Sequence, residues 1–254
     1  GILGVAWPAI RVDLQEPLAA VGLISMTLTI SASFTSWRAA PVLARLGTGR
    51  VVAASSLLTA TALAVFSMAP SLPWLVAMAV PLGVGAGVVD VALNHFVAEH
   101  YASRHMNWLH ACWGIGATTG PLIMGLTLAL PEGWRLGVQV LALMQLALSI
   151  VLWASLRLWA HAPVKTQATA DAATPSAARQ GSQAARWLAP LGFFLYVSVE
   201  VGAGLWAASV LVGERGLKLS GDARNEFIHI VHALFVLFTL TNVDVLLARL
   251  GPVV

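Results

Sequence analysis

The sequence predicts an all-α integral membrane protein, built as a bundle of transmembrane helices. Of its 254 residues, 58% are hydrophobic and only 10% are charged, whereas a soluble domain carries about 25% charged residues. The apolar residues also form long runs, each about the length that one helix needs to cross a bilayer. Because these runs are continuous and do not alternate in ten-residue stretches, they indicate helices and not the strands of a barrel.

Runs free of Asp, Glu, Lys and Arg locate the membrane spans in order. The longest run, 51–89, is too long for one helix, and the segment APSLP at 69–73 divides it. The first run has only ten residues, so it is interpreted as the trailing half of a span. The predicted spans are a half span at 1–10 and full spans at 17–37, 51–68, 74–98, 106–131, 136–156, 187–213 and 227–248.

The segment 159–186 differs in composition from the rest of the chain. It is dominated by Ala, Thr, Ser, Gln and Pro, so it cannot bury enough apolar surface to order itself. We therefore expect a flexible linker between an N-terminal half bundle, 1–158, and the start of a C-terminal half, 187–254. With the linker in the cytoplasm, nine of the 14 Lys and Arg residues lie on that side, as the positive-inside rule favours.

A short internal repeat supports two related halves. The sequence VLARLG at 42–47 closes the second span, and LLARLG at 246–251 closes the eighth. Their matching positions relative to the spans suggest parallel repetition of two six-span halves. The chain would then hold about seven and a half of twelve transmembrane helices.

Five motifs carry a resemblance to a known family. They are AWPAI at 6–10, ARLGTGR at 44–50, GVGAGVVDVALN at 83–94, NWLHACWGIGATTGPL at 107–122 and YVSVEVGAGLW at 196–206. In this order and spacing they resemble the major facilitator superfamily, in particular its fucose-permease-like branch, over residues 1–213. The resemblance implies a secondary active transporter, with proton symport of a small polar solute such as a sugar. One departure is Ala44, which stands where the family usually has an acidic residue.

Asp90 and Asn94 are the main candidate residues for coupling to protons. They are four residues apart and therefore share a helix face, on which Gly83 and Gly87 also lie. Glycines at this spacing indicate close helix contact, which is expected to place Asp90 inside the bundle. An unpartnered acid there costs several kcal/mol to ionise, so it can take up and release a proton. The acid-x-x-x-Asn pattern also resembles the family's coupling site. The alternative is an acid that serves packing alone.

Glu200 interrupts the seventh span and is the main candidate for contact with solute. Tyr196 precedes it by one turn, and Gly202 and Gly204 follow it. Helices weakened by glycine often unwind at a transporter's substrate site. Glu200 could accept hydrogen bonds from solute hydroxyls, while Tyr196 and Trp206 offer aromatic faces. The alternative is a Glu bonded to a neighbouring helix.

Asn107 and His110 open the fifth span in an NxxH pattern that resembles the family. Histidine titrates near neutral pH, so His110 is a candidate to assist Asp90, and Asn107 is a candidate for solute binding. The alternative for His110 is a hydrogen bond to a backbone carbonyl near the membrane surface. The neighbouring Cys112 is expected to pack between helices.

Several other functions are excluded or disfavoured. The sequence has no block or stripe of basic residues that could bind along a phosphate backbone, so no nucleic-acid partner is predicted. Histidines at 95, 100, 105 and 110 step by about 140° around a helix, so neither a metal site nor a cofactor is predicted.

We expect a monomer in the cell (inner) membrane, in contact with lipid, protons and a small polar solute. An intramembrane enzyme and a non-transporting descendant of a transporter are the alternatives, and the first is disfavoured because no nucleophile–base pair is evident.

Overall fold

The computed structural model describes residues 2–160 and, beyond them, positions 191, 195, 198, 201, 202, 205 and 206. The predicted seventh and eighth spans, and the linker beyond residue 160, otherwise lie outside the described residues. All regular elements within 2–160 are helices: α1 (Ile2–Asp13), α2 (Ala20–Leu46), α3 (Thr48–Phe66), α4 (Leu72–His100), α5 (Ser103–Thr127), α6 (Gly133–Ala154) and α7 (Leu156–Ala160).

The order of the helices agrees with the predicted spans, and the all-helical fold is confirmed for this part of the chain. Four of these helices, α2, α3, α4 and α6, are long and apolar enough to cross a membrane. α5 has 25 residues, but it carries Asn, His, Trp, Gly and Thr where the others carry aliphatic residues. Its role as a span stays a prediction.

The ends of the helices differ from the predicted ends of the spans. α2 continues past residue 37 to Leu46 and includes Arg38 and Arg45, while α4 continues to His100. A run without charges marks only the part of a helix within hydrocarbon, and the helix itself can extend into the polar interface. At the start of the predicted linker, α7 continues the helix through Trp159 and Ala160. The ring of Trp159 lies 4.9 Å from that of Phe96.

Two connections follow directly from local sequence. α2 and α3 are joined by Gly47 alone, which has φ +78°, a conformation that favours glycine. Its N–H donates to the carbonyl of Leu43 at 2.9 Å and so caps α2. Before α4, the APSLP segment ends with Pro73 in the first helical turn, where a missing N–H costs little.

The helices pack in the order α2–α4–α3–α6–α5–α1. Their main apolar cluster lies at one end of the bundle, where α1, α3 and α5 end and α2, α4 and α6 begin. The predicted orientation places this end opposite the linker. Its largest buried side chains include Val5, Trp7, Ile10, Val21, Phe66, Leu75, Met124 and Trp134.

A polar seam joins α3 to α6 within the bundle. The amide nitrogen of Gln145 donates to the hydroxyls of Ser56 and Thr59, each at 3.0 Å. Ser149, which is buried, donates to the carbonyl of Ala53 at 3.3 Å. Such bonds hold helices together where lipid offers no competing partner.

An ion pair fastens the end of α1 to the start of α6. Arg135 donates to the Asp13 carboxylate at 2.9 Å and to the carbonyl of Ser67 at 3.1 Å. The indole of Trp134 donates to the same Asp13 oxygen at 3.1 Å, and the guanidinium lies 4.4 Å from the centre of the Trp134 ring. The cluster joins three helix ends, since Ser67 directly follows α3.

We expect Arg135→Ala to lower the free energy of unfolding by about 1–2 kcal/mol, because it removes two charge-assisted hydrogen bonds at a half-exposed site. Thermal unfolding of the full chain in mild detergent measures the change. Arg11→Ala is the matched control, since the Arg11 side chain makes no hydrogen bond or ion pair within the described residues. Equal stability of the two variants would contradict the proposed role of the ion pair.

Candidate functional site

The site begins where α2 and α4 make backbone contact. A β-carbon on Gly87 would collide with the backbone of Ala32, and one on Gly83 would collide with the carbonyl of Leu28. Ser36 adds a hydrogen bond across this contact by donating to the Gly87 carbonyl at 3.0 Å. The glycines therefore mark close helix contact, as the sequence predicts.

Asp90 lies deep along α4. It precedes the helix end at His100 by ten residues, which corresponds to about 15 Å at the rise of an α-helix. The sequence predicts about 12 Å, and the difference arises because α4 extends past the predicted end near Ala98. Asp90 is thus about one third of the helix length from the end that faces the predicted cytoplasmic side.

Beside this contact the two helices form an open cleft of about 530 Å³ that includes Asp90. Its lining residues are Leu28, Thr29, Ala32, Ser33, Ser36, Ala86, Gly87 and Asp90. Within the described helices the side chain of Asp90 is exposed in this cleft, and its position inside the complete bundle stays a prediction. Asp90 lies on the same face of α4 as the two glycines, but it follows Gly87 by three residues and is turned by about 60° from it, beside the contact.

Asn94 holds the Asp90 carboxyl group in place. Its side-chain nitrogen donates to Asp90 Oδ1 at 3.1 Å and to the Asp90 backbone carbonyl at 2.8 Å. The two residues therefore share a face and a hydrogen bond, as the four-residue spacing predicts. The bond occupies one carboxyl oxygen, and Oδ2 makes no hydrogen bond within the described residues.

The α2 wall of the cleft carries hydroxyl groups that the sequence reasoning missed. Thr29, Ser33 and Ser36 all line the cleft, at spacings of four and three residues. These spacings place side chains on one helix face, so a polar stripe within an apolar span is the signal that could have identified them. The cleft is therefore lined by both a carboxyl group and hydroxyls.

His110 and Asn107 lie on α5, away from the Asp90–Asn94 hydrogen bond. His110 is exposed, and its Nδ1 donates to the carbonyl of Met106 at 2.9 Å, which matches the alternative interpretation as a backbone-bonded histidine. By residue count, Asn94 and His110 lie about 9 Å and about 10 Å from the α4–α5 connection, so they are level. Asn107 is half-buried, and Cys112, which was expected to pack, is exposed.

The candidate solute residues after the linker are only partly described. Glu200 and Tyr196 lie outside the described residues. Trp206 is half-buried and, with Leu205, packs against the main apolar cluster. The seventh span thus meets the N-terminal half at the end opposite the α2–α3 connection.

Comparison with known proteins agrees with this helical bundle. A sequence model of the Major Facilitator Superfamily matches residues 1–253. Neither a curated protein nor a solved structure matches the chain. The match covers almost the whole sequence, including the helices that form the cleft. The chain therefore belongs to the Major Facilitator Superfamily, whose members are membrane transporters of small solutes.

Proposed function

We propose that this secondary transporter carries a small polar solute, such as a sugar, by proton symport. Asp90 is the proton carrier, and Asn94 orients its carboxyl group. The observation that supports this most directly is a carboxyl group about 15 Å inside α4 from its end at His100, which opens into a hydroxyl-lined cleft. An ionisable residue within a membrane span is energetically costly, and such residues usually mark a pathway for solute or ions.

The geometry supports proton exchange at one carboxyl oxygen. Because the Asn94 amide donates to Oδ1, Oδ2 is the oxygen at which a proton would bind and leave. His110 remains a proposed assistant of Asp90, but only through Nε2, since its Nδ1–H already donates to the carbonyl of Met106.

Solute and proton would bind between the two halves, which expose the site alternately. Glu200, Tyr196 and Asn107 remain proposed solute contacts. Trp206 is a weaker candidate, because it packs against the apolar cluster. We propose further that the protein is a monomer in the cell membrane, with its linker in the cytoplasm.

Uptake by proteoliposomes that contain the full chain tests this function. Radiolabelled D-glucose, D-mannose, L-fucose and D-mannitol are supplied outside, at equal pH or with acid outside. We expect at least one of them to accumulate above its outside concentration only under the proton gradient, and a protonophore to abolish the accumulation. Uptake that never exceeds equilibration, or that requires a sodium gradient instead, would refute proton symport.

A further inference from the structure

We propose that Ser33 is a solute-binding residue, which acts with Asp90 to recognise a neutral solute that carries neighbouring hydroxyl groups. This inference rests on the proposed function, since it takes the α2–α4 cleft as part of the solute's path. It adds α2 to the binding surface, whereas the sequence analysis assigned solute contacts only to α5 and the seventh span.

Ser33 lies at the middle of α2. Thirteen residues separate it from each end, Ala20 and Leu46, which corresponds to about 20 Å on either side. Transporters bind their substrates near this depth. An exposed hydroxyl at mid-depth is better accommodated in a water-filled cavity than against lipid, and Ser33 is both exposed and part of the cleft wall.

Ser33 is also the cleft hydroxyl that is available for a ligand. Thr29 donates to the carbonyl of Ser25 at 2.9 Å, and Ser36 donates to that of Gly87 at 3.0 Å. Ser33 makes no such bond within the described part of the chain. Its O–H can therefore donate to a solute, and its lone pairs can accept from one.

The charges of the cleft indicate the class of solute. Asp90 is the one ionisable residue among the eight described residues that line it, and none of these eight offers a positive charge to an anion. In the proposed cycle Asp90 carries a proton when solute is bound, and a protonated carboxyl group can donate and accept at once. Together with Ser33 it offers a two-point contact that suits adjacent hydroxyls. The cleft volume lies within the range of small-molecule sites.

Cysteine labelling tests the position of Ser33 without any proton gradient. Ser33→Cys and Phe34→Cys are compared in a Cys112→Ser background, because Cys112 is exposed and would react. Phe34 is the matched control: it lies at the same depth, is 61% exposed and is rotated by about 100° toward the apolar face of α2. A charged methanethiosulfonate reagent should label Ser33→Cys about tenfold faster, since only a hydrated thiol ionises readily.

Protection by sugar then tests whether the cleft binds solute. We expect at least one of the four sugars or polyols used for uptake to slow the labelling of Ser33→Cys several-fold. Equal labelling of the two variants, or labelling that none of the four slows, would overturn the inference. Either result leaves proton-driven uptake by the unaltered protein unaffected, so failure here is distinguishable from failure of the proposed function.

Exchange kinetics add a readout that a purely structural role would not give. Ser33→Ala should raise the KM for sugar exchange about 2- to 10-fold, the effect of one lost hydrogen bond, while the accumulation ratio stays unchanged. Ser25→Ala, on the same helix but outside the cleft lining, should leave KM unchanged. A KM that Ser33→Ala does not alter would also overturn the inference.

Discussion

Asp90→Asn is expected to abolish proton-driven accumulation of solute while it leaves exchange of solute across the membrane largely intact. The asparagine amide has the shape of the carboxyl group, and its oxygen can still accept the bond that Asn94 donates. It cannot release a proton, so solute transport loses its coupling to the gradient. The accumulation ratio should fall to about one, since a transporter without coupling can only equilibrate its solute.

Vesicle uptake with and without acid outside measures this ratio, and equal-pH counterflow measures exchange. Glu99→Gln is the control, because Glu99 is a carboxylate on the same helix that lies near its end, 3.6 Å from His95. It should retain accumulation. Asp90→Ala should impair both activities, since it removes the carboxyl group to which the Asn94 amide donates. If Asp90→Asn still accumulates solute, Asp90 is structural, and Glu200 becomes the next candidate for the proton carrier.

Gly87→Ala is expected to destabilise the bundle, although it adds only one methyl group. The new β-carbon would lie 2.8 Å from the Ala32 α-carbon, and backbone cannot move aside as a flexible side chain can. This collision can be relieved only if α2 and α4 separate, which would weaken the Ser36 hydrogen bond and widen the cleft. We expect a loss of about 1–3 kcal/mol in the free energy of unfolding and a loss of uptake.

Gly22→Ala provides the matched substitution on α2, where a β-carbon meets nothing within 4 Å. There the same change should be neutral or stabilise by up to about 1 kcal/mol, because alanine favours the helix over glycine. Thermal unfolding in detergent gives the stabilities. A Gly87→Ala protein as stable as Gly22→Ala would show that the two helices can separate without cost.

The positions of the described helices could be predicted because a helix that crosses a bilayer needs about 20 consecutive apolar residues. Charge-free runs identified α2, α3 and α4, and the APSLP segment correctly divided the last two. A close helix contact at Gly83 and Gly87 was likewise predictable, since they lack side chains on one face, but the partner helix, α2, was not. The family was predictable from motif order, and the match over residues 1–253 confirms it.

Features that depend on rotation or on long-range contact could not be predicted in the same way. Sequence spacing placed Asp90 on the glycine face, but spacing does not determine which part of that face touches the neighbouring helix, and Asp90 is exposed in the cleft. The Asp13–Arg135 pair joins residues 122 positions apart, and no local pattern predicts such a contact. Trp159 was assigned to the linker by composition, although one aromatic contact with Phe96 extends the packed region.

The backbone contact between α2 and α4 limits how the protein can move. α2 and α4 meet backbone to backbone at Gly83 and Gly87, and the Ser36–Gly87 hydrogen bond joins them further. We expect the two helices to move as one rigid body. We therefore expect the cleft beside them to keep its width on this side throughout the transport cycle. We do not expect it to close by movement of α2 against α4, so another part of the protein has to cover it. The proposed proton carrier, Asp90, thus belongs to the part that stays fixed, and we expect any gate to belong to a part that moves against the α2–α4 pair.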